Sequence, residues 1–319
     1  MTTYKEIFGK PVKVLSSDPS NETEGQVWYN SSSGTFKAGI SSGAWASGTS
    51  MNIIRRVGGG AGTQSLALVF TGAGGPPTKL SSSEEWNGSS WTGGGAVGTA
   101  RYFLGSCGTQ TAALGFAGYN GGNKFEVEEY DGSSWSEVNN IPYSVRDLKG
   151  FGIQTAAVAA GGYSGTAVIA TTTNYDGTNW TSSGNMGTAR SALSASGTQT
   201  AGLISGGQSP PNTTATEEYD GSSWTTGGNL SSGRSQVSMV GLQTSSLIFG
   251  GSPGTLTLTE EYDGTSWAVK ATLGTARKDV QSAGLSTSAL AAGGTNGPTT
   301  FSTTENFNVT LATKTLTSS

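Results

Sequence analysis

The chain has 319 residues, a formal net charge of −4, 12% charged residues, one cysteine and no histidine. The missing histidine removes the commonest metal ligand and the commonest general base together. A single cysteine leaves no internal disulfide, and the sparse basic residues give no electrostatic footprint for nucleic acid or an anionic membrane.

The first forty residues stand apart. Lys5, Glu6, Lys10, Lys13, Asp18, Glu22 and Glu24 carry most of the charge found outside the regular part of the chain. Met1–Phe8 lacks the charged-then-apolar pattern of a signal peptide. The run Gly25-Gln26-Val27-Trp28-Tyr29-Asn30-Ser31-Ser32-Ser33-Gly34-Thr35-Phe36-Lys37 predicts a β-hairpin about a Ser/Gly turn. Residues 1–40 are read as an attachment arm, with Val27, Trp28, Tyr29 and Phe36 as its assembly contacts. The alternative is an extra pair of strands decorating the rest.

From Trp45 onward the chain repeats. Trp45, Trp91, Trp135, Trp180, Trp224 and Trp267 stand 43 to 46 residues apart. An arginine follows ten residues later at Arg55, Arg101, Arg190, Arg234 and Arg277, and eleven later at Arg146. Then come stretches such as Gly108-Thr109-Gln110-Thr111-Ala112-Ala113-Leu114, and small-residue pairs: Gly74-Gly75, Ala117-Gly118, Gly161-Gly162, Gly206-Gly207, Gly250-Gly251 and Gly293-Gly294. An acidic-aromatic block closes each unit, as in Glu129-Tyr130-Asp131-Gly132 and Glu218-Tyr219-Asp220-Gly221. A fixed period of this size means one supersecondary unit copied six times.

Each unit predicts about four short strands. Runs between Gly, Ser and Asn clusters are short and rich in Val, Thr, Tyr, Phe and Trp, which suit a pleated surface. No stretch keeps a helical apolar period. Tyr-Asp-Gly-Ser-Ser-Trp predicts a hairpin, because Asp-Gly accepts the positive φ of a tight turn. Four strands in 44 residues make one propeller blade. The sixth block, Glu305-Asn306-Phe307-Asn308, has no tryptophan after it, whereas Trp45 and Arg55 have no block before them. The expectation is an all-β, six-bladed propeller over residues 41–319, closed by an N-terminal strand that removes the exposed edges of an open array.

The glycine pair, acidic-aromatic block, tryptophan and arginine, in that order, resemble the kelch repeat. The segment Ser17-Asp18-Pro19-Ser20-Asn21 with Glu24-Gly25-Gln26-Val27-Trp28-Tyr29-Asn30 and Gly34-Thr35-Phe36-Lys37 resembles the start of structural proteins from tailed phages of marine bacteria. Those proteins often continue into kelch-like repeats. The resemblance implies a virion protein, in a tail, fibre or capsid, present in many copies and joined to other virion proteins through its N-terminal arm. It would reach the cell exterior by lysis, without membrane insertion, and a host-surface glycan is a further partner.

Catalysis is not expected, and neither is a cofactor or metal. Kelch propellers include copper-radical oxidases, whose site needs histidine, and this chain has none. The Asp-Gly-Ser-Ser-Trp turns resemble the sialidase Asp-box but are one residue short, which leaves a glycan-processing enzyme as the alternative reading. Of 21 acids, 13 lie in the repeated blocks, and nothing in the sequence pairs the unrepeated Glu126, Glu137, Asp147 and Asp279. The repeated arginines are expected to tie strands or blades, and Cys107 to act as a small buried hydrophobe. The distinctive loops are Gly75–Lys79, Tyr119–Phe125 and Gln208–Asn212; Tyr119, Lys124 and Phe125 are the candidate binding residues, the two rings suited to stacking on a sugar.

Overall fold

The computed structural model describes residues 6–7, 10–75 and 78–316. The architecture is all-β and propeller-like, with no helix among the described residues and repeated four-stranded antiparallel sheets. The chain divides into two compact units, residues 1–44 with 308–319, and residues 45–307.

Within the larger unit the strands follow the sequence period. The first sheet is Gly59–Gly62, Ala67–Phe70, Ser83–Trp86 and Trp91–Gly94; the second is Gly105–Gly108, Ala113–Tyr119, Asn123–Tyr130 and Trp135–Val138. The third is Lys149–Ile153, Ala156–Ala160, Thr172–Tyr175 and Trp180–Ser182. The fourth is Ser194–Thr198, Ala201–Ser205, Thr216–Tyr219 and Trp224–Thr226. The fifth is Ser238–Leu242, Ser245–Phe249, Thr259–Tyr262 and Trp267–Lys270. In the sixth, Gln281–Leu285 and Ser288–Ala292 are followed by Thr304–Leu316, which pairs with Thr35–Gly48; the larger unit holds the former through Phe307 and the latter from Trp45. Trp45 and Phe307 meet with ring centres 5.3 Å apart.

The apolar second strands form the core between neighbouring sheets. Leu68 and Phe70 pack with Leu104 and Ala113, Leu114 and Phe116 with Ala157 and Tyr175, and Ala67 and Val69 with Ala283 and Leu290. Close approach demands small partners: a Cβ on Gly115 would lie 2.7 Å from the Phe70 ring. Each acidic-aromatic block turns as expected. In Asp131-Gly132-Ser133-Ser134 the Asp131 carboxylate accepts the N–H groups of Ser133 and Ser134, and Gly132 has φ 94°. Asn87, Asp176, Asp220 and Asp263 do the same in their turns. The turn brings Tyr130 onto Trp135 at 5.0 Å, and the other blocks repeat the stack.

Two sets of backbone hydrogen bonds link successive sheets. The N–H groups of Gly72, Gly118, Gly162, Gly207, Gly251 and Gly294 donate to the carbonyls of Arg101, Val145, Arg190, Arg234, Arg277 and Arg55. The first repeat pair is therefore Thr71-Gly72, not Gly74-Gly75. Thr71 takes the left-handed φ of 55° that Ala117 and the first glycines elsewhere take, and only the second residue is always glycine. Gly74 and Gly75 belong instead to a small hairpin of Ala73–Gly75 with Thr78–Lys79; Pro76 and Pro77 of that predicted loop lie outside the described residues. The second set runs in a cycle. Phe103 donates to Val57, Asp147 to Phe103, Ala192 to Asp147, Gln236 to Ala192, Asp279 to Gln236, and Val57 to Asp279. All six have φ between 50° and 59°, an uncommon region for residues other than glycine.

In the smaller unit, Val27–Asn30 pairs antiparallel with the start of Thr35–Gly48 and parallel with Lys13–Leu15. The predicted hairpin is present, with Asn30 Oδ1 accepting the N–H groups of Ser32 and Ser33 across its turn.

Candidate functional site

The repeated charges lie inside the sheets. Arg55, Arg101, Arg190, Arg234 and Arg277 are fully buried, and each pairs with a buried glutamate: Glu84, Glu128, Glu217, Glu260 and Glu305. Arg190 reaches Glu217 at 2.8 Å and also donates to the Ala215 carbonyl at 2.9 Å. The glutamates accept backbone N–H groups as well, so both charges are held by hydrogen bonds. Burial lowers the pKa of Arg190, Arg234 and Arg277, and the paired glutamate opposes the shift.

Arg146 departs from this pattern. Measured from the positive-φ residue, the slot of Arg101 is filled in the third sheet by Val145, which is fully buried, and Arg146 sits one place later. The acid is replaced in step: Thr173 stands where the others have glutamate, and its hydroxyl meets the Tyr143 hydroxyl at 3.3 Å. The extra residue between Trp135 and Arg146 is thus the mark of a different slot.

The position after the buried arginine carries the asymmetry. It holds Arg56, Tyr102, Arg146, Ser191, Ser235 and Lys278, each bridged by backbone pairing to Ala73, Tyr119, Tyr163, Gln208, Ser252 and Thr295. Aromatic rings occur in only two of these six pairs. The Arg146 guanidinium lies 4.7 Å from the Tyr119 ring centre and 4.9 Å from that of Tyr163. The Tyr102 ring meets Tyr119 edge-on at 5.6 Å. The result is a row, Tyr102–Tyr119–Arg146–Tyr163, held by aromatic and cation–π contact. Of the predicted binding residues, Tyr119 is in this row. Lys124 pairs with Glu126 at 3.3 Å, and Phe125 is 44% exposed. The predicted loop is short because its flanking strands, Ala113–Tyr119 and Asn123–Tyr130, extend into it. Tyr102 and Tyr163 were not singled out from the sequence, and Arg146 was read there only as a repeat arginine that ties strands or blades; the signal for all three is the residue that differs between copies.

Beside the cycle of hydrogen bonds lie two cavities. One, of about 30 Å³, is bordered by Val57, Phe103, Asp147, Lys149, Gln236 and Asp279; the other, of about 150 Å³, is bordered by the first strands of all six sheets. Lys149 lines both. The structure brings together Asp147 and Asp279, which no sequence pattern paired. Burial pushes Asp147 up to about 6 and raises Asp279, whose carboxylate accepts both contacts from the Gln236 amide at 3.1 Å. Burial lowers the pKa of Lys149. Cys107 lines the larger cavity, is buried, and has its thiol pushed up to about 12, so it is inert as a nucleophile at neutral pH.

In the smaller unit Trp28 is fully buried, and its indole N–H donates to Asp18, which also accepts from Asn30 and pairs with Lys37 at 2.6 Å. Lys37 and these hydrogen bonds hold the Asp18 carboxyl below the usual range. Val27 is half-buried, and Tyr29 and Phe36 pack together at 5.1 Å. Trp28 thus serves the interior of the smaller unit, whereas Val27, Tyr29 and Phe36 are each only partly buried.

Among the described residues no helix is long and apolar enough to cross a membrane, and no cluster of three or more His, Cys, Asp or Glu is placed to hold a metal ion. Compared with known proteins, the chain matches no family model and no curated sequence.

Proposed function

We propose that this chain is a non-catalytic structural protein of a phage virion. In this reading its six sheets are the blades of a closed propeller, and it binds surface saccharides through the Tyr102–Tyr119–Arg146–Tyr163 row. Closure is supported by the hydrogen-bond cycle that returns to Val57 and by the contact of Trp45 with Phe307. The single observation that carries binding is where the repeat breaks: the copies differ by aromatic rings and a guanidinium, groups that stack on and hydrogen-bond to sugars. Attachment through residues 1–40 rests on the phage-like segment. Many copies on a particle would turn weak single contacts into firm adhesion. Electron microscopy of particles with a labelled chain tests the location. A chain lacking residues 1–40 is expected to fold, by circular dichroism, yet to be missing from particles; its normal incorporation would overturn the reading.

A second reading, a glycan-processing enzyme, is favoured by Asp147 and Asp279 sharing one cavity with raised pKa values. That cavity, about 30 Å³, has room for one water and not for a sugar ring. Release of reducing ends from glycans, abolished by Asp147→Asn and by Asp279→Asn, would establish the enzyme instead.

A further inference from the structure

We propose that the saccharide is anionic, its carboxylate or sulfate held by Arg56 and Lys278 while the sugar rests on Tyr102. This deepens the binding reading above and rests on it. The cycle of hydrogen bonds fixes the order of its neighbours: Lys278, Arg56, Tyr102 and Arg146 occupy four consecutive positions, and Ser191 and Ser235 the other two. Four consecutive positions of the cycle are therefore cationic or aromatic, and the other two are neutral. The five buried repeat arginines each have a glutamate within ion-pair distance, but among the described residues Arg56, Lys149 and Lys278 have no acid that close. Among the described residues the Lys278 ammonium donates only to the Gln236 amide oxygen, at 3.2 Å, and the Arg56 side chain makes no hydrogen bond, with its Nε buried. Arg146 pairs with Asp147 at 3.5 Å. Among the described residues the acids that meet Arg56, Arg146, Lys149 and Lys278 are Asp147 and Asp279, so the neighbourhood carries an excess of positive charge in a chain of net charge −4.

Cations that outnumber their counter-ions raise local potential and recruit an anion. A guanidinium presents two parallel N–H donors that match a carboxylate or sulfate edge. Tyr102, next to Arg56 in the cycle and braced by Phe103 at 4.9 Å and Tyr119, offers the sugar a preset ring. A nucleic acid fits less well, because a single arc of cations offers no track for successive phosphates.

The test is binding of the full chain to matched saccharides: an oligogalacturonate beside its methyl ester, and a sulfated galactan oligomer beside its desulfated form. Single-stranded DNA serves as the third probe. The unaltered chain should bind at least one acidic member about tenfold or more tighter than its neutral twin. R56Q/K278Q should cut that preference below about threefold while leaving neutral binding and the melting temperature unchanged, whereas Tyr102→Ala should weaken both twins. Equal binding of the twins, or a preference that survives R56Q/K278Q, overturns the anionic assignment and leaves saccharide binding standing. No binding to any saccharide overturns both, and tighter binding of DNA than of every saccharide replaces the ligand class.

Discussion

Arg190 and its four counterparts are charges kept in a dry setting by a partner rather than by water. Removing one partner leaves the other buried and unpaired, which costs about 3–5 kcal/mol. Arg190→Ala is therefore expected to lower unfolding free energy by that amount in urea titrations, and Arg146→Ala, half-exposed outside the slot, by less than about 1 kcal/mol. The third sheet offers a sharper check. Val145→Arg and Thr173→Glu should each destabilise alone, and the double variant should lose less than the sum of the two, because it rebuilds the pair. Asp147 makes the pH prediction. Its folded pKa, about 6, stands above its unfolded value, so the folded state holds the extra proton between about pH 4 and 6 and stability falls as pH rises through that window. Asp147→Asn should flatten this slope and raise stability at pH 7 to 8 by about 1–3 kcal/mol, as read from denaturation at several pH values.

At the scale of elements, five of the six sheets are stapled to the one before by a glutamine in the turn after the first strand, and in the sixth Ser286 stands there, its hydroxyl 2.6 Å from that of Ser245. Gln199 donates to the carbonyls of Ala157 and Tyr175, and Gln64, Gln110, Gln154 and Gln243 make the matching pairs. Tyrosine hydroxyls add a second link, Tyr175 to Glu129 and Tyr262 to Glu218. Gln199→Ala should cost about 1–3 kcal/mol, since two part-buried acceptors lose their donor. The Asp turns are local. Because Asn87 fills the same role as Asp220, Asp220→Asn should be tolerated and Asp220→Ala should lower the melting temperature further. The carboxylates of Asp131 and Asp220 are held below their usual range by N–H groups, so this contribution is present at neutral pH and fades in acid.

For the whole molecule the proposed closure hangs on a short strand end. Trp45 packs on Phe249 and Phe307 and donates to Thr259, and Gln64 donates to the Phe307 carbonyl. If these contacts complete the last blade, a 45–319 fragment should melt as one cooperative transition. A 55–319 fragment, which lacks that strand and Met51, should melt lower or lose cooperativity. Equal melting of the two fragments by calorimetry would sink the closed ring.

The period, the strand content and the turns were legible in the sequence because each depends on local chemistry. Asp-Gly turns, short runs rich in Val, Thr, Tyr, Phe and Trp, and a tryptophan every 43 to 46 residues need no knowledge of distant contacts. The interior role of the arginines was legible too, since one residue per copy builds the copy. Register was harder. Gly74-Gly75 imitates the pair that Thr71-Gly72 forms, and Arg146 imitates a slot that Val145 fills, because a one-residue shift is decided by which backbone groups meet across sheets. The row of Tyr102, Tyr119, Arg146 and Tyr163, and the meeting of Asp147 with Asp279, were decided by tertiary structure alone. Their members are far apart in the chain and come together only where the hydrogen-bond cycle sets one residue of each sheet beside the next.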